Sequence, residues 1–331
     1  MGRDAQGPAL DALTDLFATA QQWLFETVVQ PLAFSVGLGG RLEEAFVGTG
    51  WLLVGVVQIA LMLLVIAPLQ RLRPVEPVVD RGAIRTDVLY TLVHRFGLFR
   101  LGLFFTLEPW MDDVFGGLRM AGFNTFHLDA VWPGVTDQPL ASFVLYLVVF
   151  DFVDYWIHRG QHRLGWWWNL HALHHAQRQM TMWSDNRNHL LDDVLRDLIL
   201  VVVAQLIGVG PGQFVAIVAL AQLSENLHHA NLRVWFGAVG ERLWVSPRFH
   251  RRHHSIGVGH ESAGRNTLGG CNFSVLLPIW DVLFRTADFQ LRYDPTGIRD
   301  QVEQGPNGVR DYGRGFWAQQ WLGLLRLVGR A

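Results

Sequence analysis

Cysteine is nearly absent. Cys271 is the only one in 331 residues, so no intramolecular disulfide can form and no cysteine-rich zinc site can be assembled. Charge is also scarce: 17% of residues are charged, against about a quarter in ordinary soluble domains. A net charge of −2 leaves no basic field for nucleic acid. Phosphate-binding loops are missing, because Gly37-Leu-Gly39 lacks a third glycine and follows no strand pattern. So is the zinc-peptidase signature: His260-Glu261 continues as Ser262-Ala-Gly264, without the second histidine. Arg3, Asp4, Asp11 and Asp15 interrupt the start, and a cleaved leader is not expected. Period-two alternation is rare, so the fold is expected to be helical.

What the chain has instead is apolar length, tryptophan and histidine. Half the residues are apolar and 14 are tryptophan. Gly50 to Leu69 runs twenty residues without a charge, enough to cross a hydrocarbon core of about 30 Å. Val88 to Leu107 is a weaker span, interrupted by His94, Arg95 and Arg100. Leu140 to Ile157 is a further span with Asp151 and Asp154 near its end. Leu198 to Ser224 is charge-free for 27 residues and broken at Gly208-Val-Gly-Pro-Gly212. Glycine and proline there predict a helical hairpin that enters and returns. Each apolar arm alone is too short to span, so the helices must extend into their polar flanks or penetrate partway. Leu13 to Gly37 reads as an extra span or an interfacial helix. The tail, Phe316 to Val328, sets Trp317, Trp321, Leu324 and Val328 at helical spacing, which suits docking on the body or on a membrane surface. Arg71, Arg73, Arg81, Arg85, Arg159 and Arg163 fall in loops of one side if Val88 to Leu107 crosses, whereas the loop from Pro109 to Pro139 carries only Arg119. The positive-inside rule then places the histidines in the cytoplasm.

Twelve of the 14 histidines lie between His158 and His260. Three clusters share one geometry: His158 with His162; His171 with His174 and His175; His250 with His253 and His254. Spacings of three and four put imidazoles on one helix face. Such crowding is unfavourable if the rings protonate together, and a metal relieves it by binding them neutral. Eight cluster histidines, with His228 and His229 as further candidates, are too many for one four-ligand ion and suit two. Residue type leaves iron, zinc, copper and nickel open. Asp151 and Asp154 share a broad face with His158 and His162, and are expected to orient ligating rings. His189 has no histidine three or four residues away and is expected to support ligands rather than bind. His94, His127 and His260 are expected to be ordinary surface or core residues. A bis-histidine haem protein is disfavoured, since Arg159, Arg163 and three tryptophans interrupt the stretch that would hold the haems.

The stretch Asp151-Phe-Val-Asp-Tyr-Trp-Ile-His-Arg-Gly-Gln-His162, then His171-Ala-Leu-His174-His175, then Pro247-Arg-Phe-His-Arg-Arg-His-His254, resembles the fatty acid hydroxylase and sterol desaturase superfamily. Its hallmark is HxxxH, HxxHH and HxxHH in that order. Arg187-Asn-His189, His229-Ala-Asn231, and Asn272-Phe through Ile279-Trp-Asp-Val-Leu-Phe284 extend the likeness over roughly residues 140 to 286. The resemblance implies an all-α integral membrane protein, with about four transmembrane or membrane-inserted helices under a cytoplasmic histidine-rich helical cap. It implies two iron ions held by His158, His162, His171, His174, His175, His250, His253 and His254, and O2 as co-substrate. A further ligand comes from His228, His229 or both; Ser224 stands four before His228, so a fourth HxxxH is not present. Asn272, with Asp151, Asp154 and His189, is expected to support the ligands.

The implied activity is hydroxylation or desaturation of a lipid C–H bond, on a fatty acyl chain, a sterol or another isoprenoid lipid. No haem-binding module is evident, so electrons are expected from a separate ferredoxin or cytochrome b5-like donor with its reductase. Three regions are expected: a membrane region over 1–139, the catalytic domain over 140–286, and a tail with an amphipathic helix over 287–331. The competing expectation is a non-catalytic or hydrolytic membrane protein that binds zinc through the same histidines.

Overall fold

The computed structural model describes residues 8–96, 110–111, 113–258, 269–302 and 309–331. Among them there are helices, turns and no strand; one isolated bridge joins Ser255 to Thr296. The His260-Glu261 pair and residues 97–107 of the Val88 to Leu107 span, Arg100 included, lie outside the described residues.

The chain forms two compact units. The first comprises Met1–Ile59 and Val93–Gly116. Its helices are α1 (Pro8–Leu24), α2 (Gln30–Ser35) after a π turn at Phe25–Val29, and most of α3 (Leu42–Leu61). Phe25 meets Phe46 edge-on at 5.2 Å, and Gln21 donates to the Phe46 carbonyl at 2.9 Å. Gly55 is pressed against the backbone carbonyl of Arg95, leaving no room for a Cβ. Leu16, Trp23, Leu32 and Phe34 remain exposed on the Leu13 to Gly37 segment.

The second unit comprises Ala60–Leu92 and Gly117–Ala331 and carries every histidine cluster. It begins with a π turn at Met62–Ile66 and α4 (Ala67–Leu72), followed by α5 (Arg81–Arg95). Among the described residues, two helices are long and apolar enough to cross a membrane: the continuous run Gly39–Leu72, and α6 (Pro139–Arg163). These contain the expected spans Gly50 to Leu69 and Leu140 to Ile157. Leu164 is extended and breaks the helix, so α7 (Gly165–His175) leaves in a new direction.

The Gly–Pro break behaves as its residues require. Helix α8 (Leu190–Ile207) ends at Gly208, whose φ of 70° is the left-handed conformation glycine adopts without strain. Helix α9 (Pro211–His228) starts with proline in its first turn, where no donor is needed. Tyr146 of α6 pins the turn by donating to the carbonyls of Ile207 and Gly208, at 3.1 and 3.2 Å. Both helices run into polar flanks, α8 from Leu190 and α9 to His228. Their core packs Tyr146, Leu147 and Phe150 of α6 against Leu200, Ile217 and Ala221, closed by Trp167, Val275 and Leu276. Burying each large apolar side chain fully stabilises by about 1.5–3 kcal/mol.

The remaining elements are α10 (Gly237–Leu243), α11 (Pro247–His253), α12 (Ile279–Leu283) and α13 (Phe316–Leu327). Ser246 caps α11, accepting from the Phe249 N–H at 3.1 Å, and donates to Glu241 at 2.6 Å. The same Glu241 pairs with fully buried Arg248. The tail helix α13 packs on α7 and buries Phe316, Gln319, Gln320, Gly323 and Arg326. The stripe Trp317, Trp321, Leu324 and Val328 faces outward, away from the body.

Candidate metal centre

Four elements deliver histidines to one buried volume. Helix α6 offers His158 and His162, one turn apart. Helix α7 offers His171, His174 and His175 in its last two turns. His229 follows the end of α9, and α11 with its cap residue brings His250, His253 and His254. The ring nitrogens gather in two groups of four, within 4.8 Å of one another in each: His158, His162, His171 and His175; and His174, His229, His250 and His254. A third group, His175, His253 and His254, joins them, and every member is buried.

The protons of these rings can be placed by chemistry. The Nδ1 atoms of His158, His253 and His229 lie 2.8, 2.6 and 2.8 Å from the carbonyls of Phe273, Cys271 and Glu225. His171 Nδ1 lies 3.0 Å from the Asp192 carboxylate. Carbonyls and carboxylates accept, so each Nδ1 carries the proton and each Nε2 presents a lone pair. Yet His229 Nε2 stands 3.1, 3.2 and 3.0 Å from the Nε2 atoms of His174, His254 and His250. His254 and His250 are 3.1 Å apart, as are His253 and His175. His171 Nε2 and both nitrogens of His162 have no hydrogen-bond partner among the described residues. Hydrogen bonds cannot satisfy this set; a cation can. Ligands about 2.0–2.1 Å from one ion stand about 3.0 Å apart at right angles and about 3.4 Å apart in a tetrahedron, which brackets the observed separations. The residues present therefore fit a metal, and their geometry suits two.

Protonation agrees. Burial first, then the neighbouring imidazoles, holds His174, His175, His250 and His254 well below the ordinary histidine range. Burial pushes His253 down to about 3 and lowers His229 as well. The rings are neutral at physiological pH, the form a metal binds.

The supports differ from those expected. Asp151 lies on the face of His158 and His162 but two turns lower, about 10 Å away along the axis. It accepts instead from the Leu276 and Leu277 N–H groups at 2.8 and 3.0 Å and from Trp280 Nε1 at 2.8 Å. Asp154 pairs with Arg196 at 2.9 Å and touches no cluster histidine. His189 caps α8, accepting from the Leu191 N–H at 3.2 Å, with its Nε2 3.0 Å from the Gln320 carbonyl. Asn272, at φ 58°, clamps α11 to the chain beyond it, donating to the Phe249 and Asp288 carbonyls at 2.9 and 3.0 Å. His228 does not enter either group; its Nε2 lies 2.9 Å from Ser224 Oγ, which also accepts from Trp244 Nε1 at 2.8 Å. His94 and His127 join neither group.

The carboxylate that does hold a cluster histidine is Asp192, in the first turn of α8. One oxygen faces His171; the other accepts from Gln161 Nε2 at 2.8 Å and Trp167 Nε1 at 2.6 Å. Asp185 stands 3.6 Å from His229 Nδ1 and accepts from Asn226 at 3.2 Å. Both belong to the polar run after the second cluster, but their partners come from other helices, and spacing alone does not select them.

Comparison with known proteins agrees with this geometry. Residues 143–286 match the family model described as fatty acid hydroxylase. Ornithine lipid hydroxylase OlsE of Rhizobium tropici is 28% identical over 247 residues, covering 73% of this chain and 70% of that protein. Alkylglycerol monooxygenase of Caenorhabditis elegans is 26% identical over 191 residues, covering 55% of this chain and 34% of that one. No solved structure matches. Residues 143–286, the region that holds all three histidine clusters, form a fatty acid hydroxylase domain, and the chain is an oxidoreductase.

Proposed function

We propose that this chain is a multi-pass membrane oxygenase that hydroxylates a lipid C–H bond at a di-iron centre. The reaction consumes O2, two electrons and two protons, and yields the lipid alcohol and water. The observation that carries the reading is the pair of four-histidine groups, each with its ring nitrogens within 4.8 Å of one another; in the group of His174, His229, His250 and His254 the Nε2 atoms face one another at 3.0–3.2 Å. Iron in these positions supplies the activation of O2 and the oxidant for an unactivated C–H bond. The ligands are His158, His162, His171 and His175 in one position and His174, His229, His250 and His254 in the other, with His253 beside the shared edge. His228 is left out.

The chain's own residues do the rest. Backbone carbonyls of Phe273, Cys271 and Glu225, with Asp192, hold ring protons on Nδ1 and turn Nε2 inward. Burial of every group member excludes water from the reacting volume. The names of the two relatives favour hydroxylation of a lipid over desaturation. The region around 140–286 is the catalytic domain in this reading, with 1–139 supplying membrane helices and 287–331 a tail. The arginine distribution supports a cytoplasmic active site, and electrons come from a ferredoxin or cytochrome b5-like protein.

Comparative lipidomics of cells with the gene, without it, and with His174→Ala tests the proposal. A lipid gaining one oxygen only with the intact gene is expected. Identical lipid profiles in all three would overturn it, and a product two hydrogens lighter would replace hydroxylation with desaturation.

A further inference from the structure

Three aromatic rings and one arginine, Arg159, meet near the end of α6. Tyr155 and Trp156 of α6 and Phe284, the residue after α12, form a box: Tyr155 stacks on Phe284 at 5.4 Å, and Trp156 meets Phe284 at 4.9 Å. The Arg159 guanidinium lies over it, with Cζ 5.2 Å from the Trp156 ring, 5.9 Å from Phe284 and 6.0 Å from Tyr155. Nη1 donates to the Tyr155 hydroxyl at 3.1 Å. That hydroxyl is 3.0 Å from Thr286 Oγ1, which donates to Asp281 at 2.6 Å. One edge of the guanidinium is thereby held, while its Nε is buried with no hydrogen-bond partner among the described residues. A stacked, tethered guanidinium keeps its remaining donors in the planar fork that matches carboxylate or phosphate.

The neighbours point to the same ligand. Arg163 stands one turn further along the same flank of α6, and Arg285 follows Phe284 directly; both are exposed. Among the described residues none of the three arginines has a carboxylate in ion-pair contact. Beside them lies apolar surface: Trp156 is 44% exposed and Leu283 61%. A cationic fork bordered by exposed apolar side chains, on a helix long enough to cross a membrane, fits an anionic amphiphile.

We propose that Arg159, on its box of Tyr155, Trp156 and Phe284 and with Arg163 and Arg285 beside it, binds the anionic headgroup, phosphate or carboxylate, of a membrane lipid. The proposal rests on the lipid-oxygenase reading only for what that lipid does afterwards. Arg159 adjoins His158 in the chain, so a lipid held there lies along the helix that carries the first ligands. The same headgroup chemistry has two sources, the substrate itself or a phospholipid of the surrounding bilayer.

Binding is measured on the full chain in neutral maltoside micelles by native mass spectrometry, with dodecyl phosphate and dodecylphosphocholine as probes. Wild type is expected to prefer dodecyl phosphate about ten- to hundredfold, the worth of one or two charge-assisted hydrogen bonds. Arg159→Gln is expected to remove the preference, and Arg159→Lys to retain part of it. Should Arg159→Gln fail to fold by circular dichroism, the exposed double variant Arg163→Gln/Arg285→Gln is read instead, with a several-fold loss expected. Absence of a preference in wild type, or its survival in a folded Arg159→Gln protein, would overturn the site. Turnover in phosphatidylcholine nanodiscs then separates the sources, using anionic and zwitterionic lipids of one chain length. A KM raised by Arg159→Gln for the anionic lipid alone, with kcat unchanged, assigns the headgroup to the substrate. An unchanged KM assigns it to a bilayer lipid. Failure of wild type to oxidise any lipid would count against the oxygenase reading while leaving the binding result intact.

Discussion

At the scale of single residues, Asp192 has the most specific chemistry outside the histidines themselves. All three of its partners donate, so an amide in its place must set N–H against N–H at one contact at least. Asp192→Asn is expected to weaken metal retention about 10–100-fold, measured by chelator competition, with helicity unchanged by circular dichroism. Wild-type retention in the variant would show that His171 needs no such anchor. The adjacent pair His228 and His229 gives a second test. Neighbouring helical residues point about 100° apart, which is why the chain order left both open as ligands. In the fold, His229 meets three Nε2 atoms, and His228 meets Ser224. His229→Gln should lower bound metal, whereas His228→Gln should leave it unchanged; the reverse result would exchange their roles. Asp151 was misleading for the opposite reason. Its angle around α6 is right, but its height is wrong, and a helical-face argument reads angle alone.

At the scale of elements, the legible features were those set by local periodicity or by backbone chemistry. Spacings of three and four put the clusters on helices, and Gly208 with Pro211 made the hairpin that returns the chain to the centre. Gly208→Ala tests that turn. It places a Cβ at a φ of 70°, and that Cβ would stand 2.6 Å from His127 Nδ1. The left-handed conformation alone costs a non-glycine residue about 1–2 kcal/mol. A melting temperature lower by a few degrees is expected, partly restored by adding His127→Ala. An unchanged melting temperature would mean that the turn is not tightly held. The tail helix was legible as amphipathic but not in orientation. Its docked face is largely polar: Gln320 Nε2 donates to Tyr90 Oη and to the Asn188 carbonyl, both at 2.9 Å. The tryptophans are turned outward because hydrogen bonds, rather than apolar burial, seat this helix.

At the scale of the whole molecule, the histidines link stability to pH. The folded pKa values of His174, His175, His229, His250 and His254 are depressed, and that of His253 falls to about 3, while an unfolded histidine titrates near pH 6.5. Below about pH 6.5 the unfolded state therefore binds more protons, and stability falls as pH is lowered towards the folded values. Metal-free protein is expected to keep its full melting temperature at pH 7.5 and to lose it progressively below about pH 6.5. A melting temperature flat from pH 7.5 to 4.5 would contradict the neutral, buried state of the rings. Bound metal should raise the melting temperature at neutral pH, and chelation should reverse that gain.

Histidines from α6, α7, α11 and the end of α9 build two groups that could each hold a metal ion. The most direct test of a two-metal centre is metal analysis of the full chain purified in detergent after growth with iron. Two irons per chain are expected, with His174→Ala and His162→Ala each reducing the count. One zinc per chain, insensitive to either substitution, would contradict it.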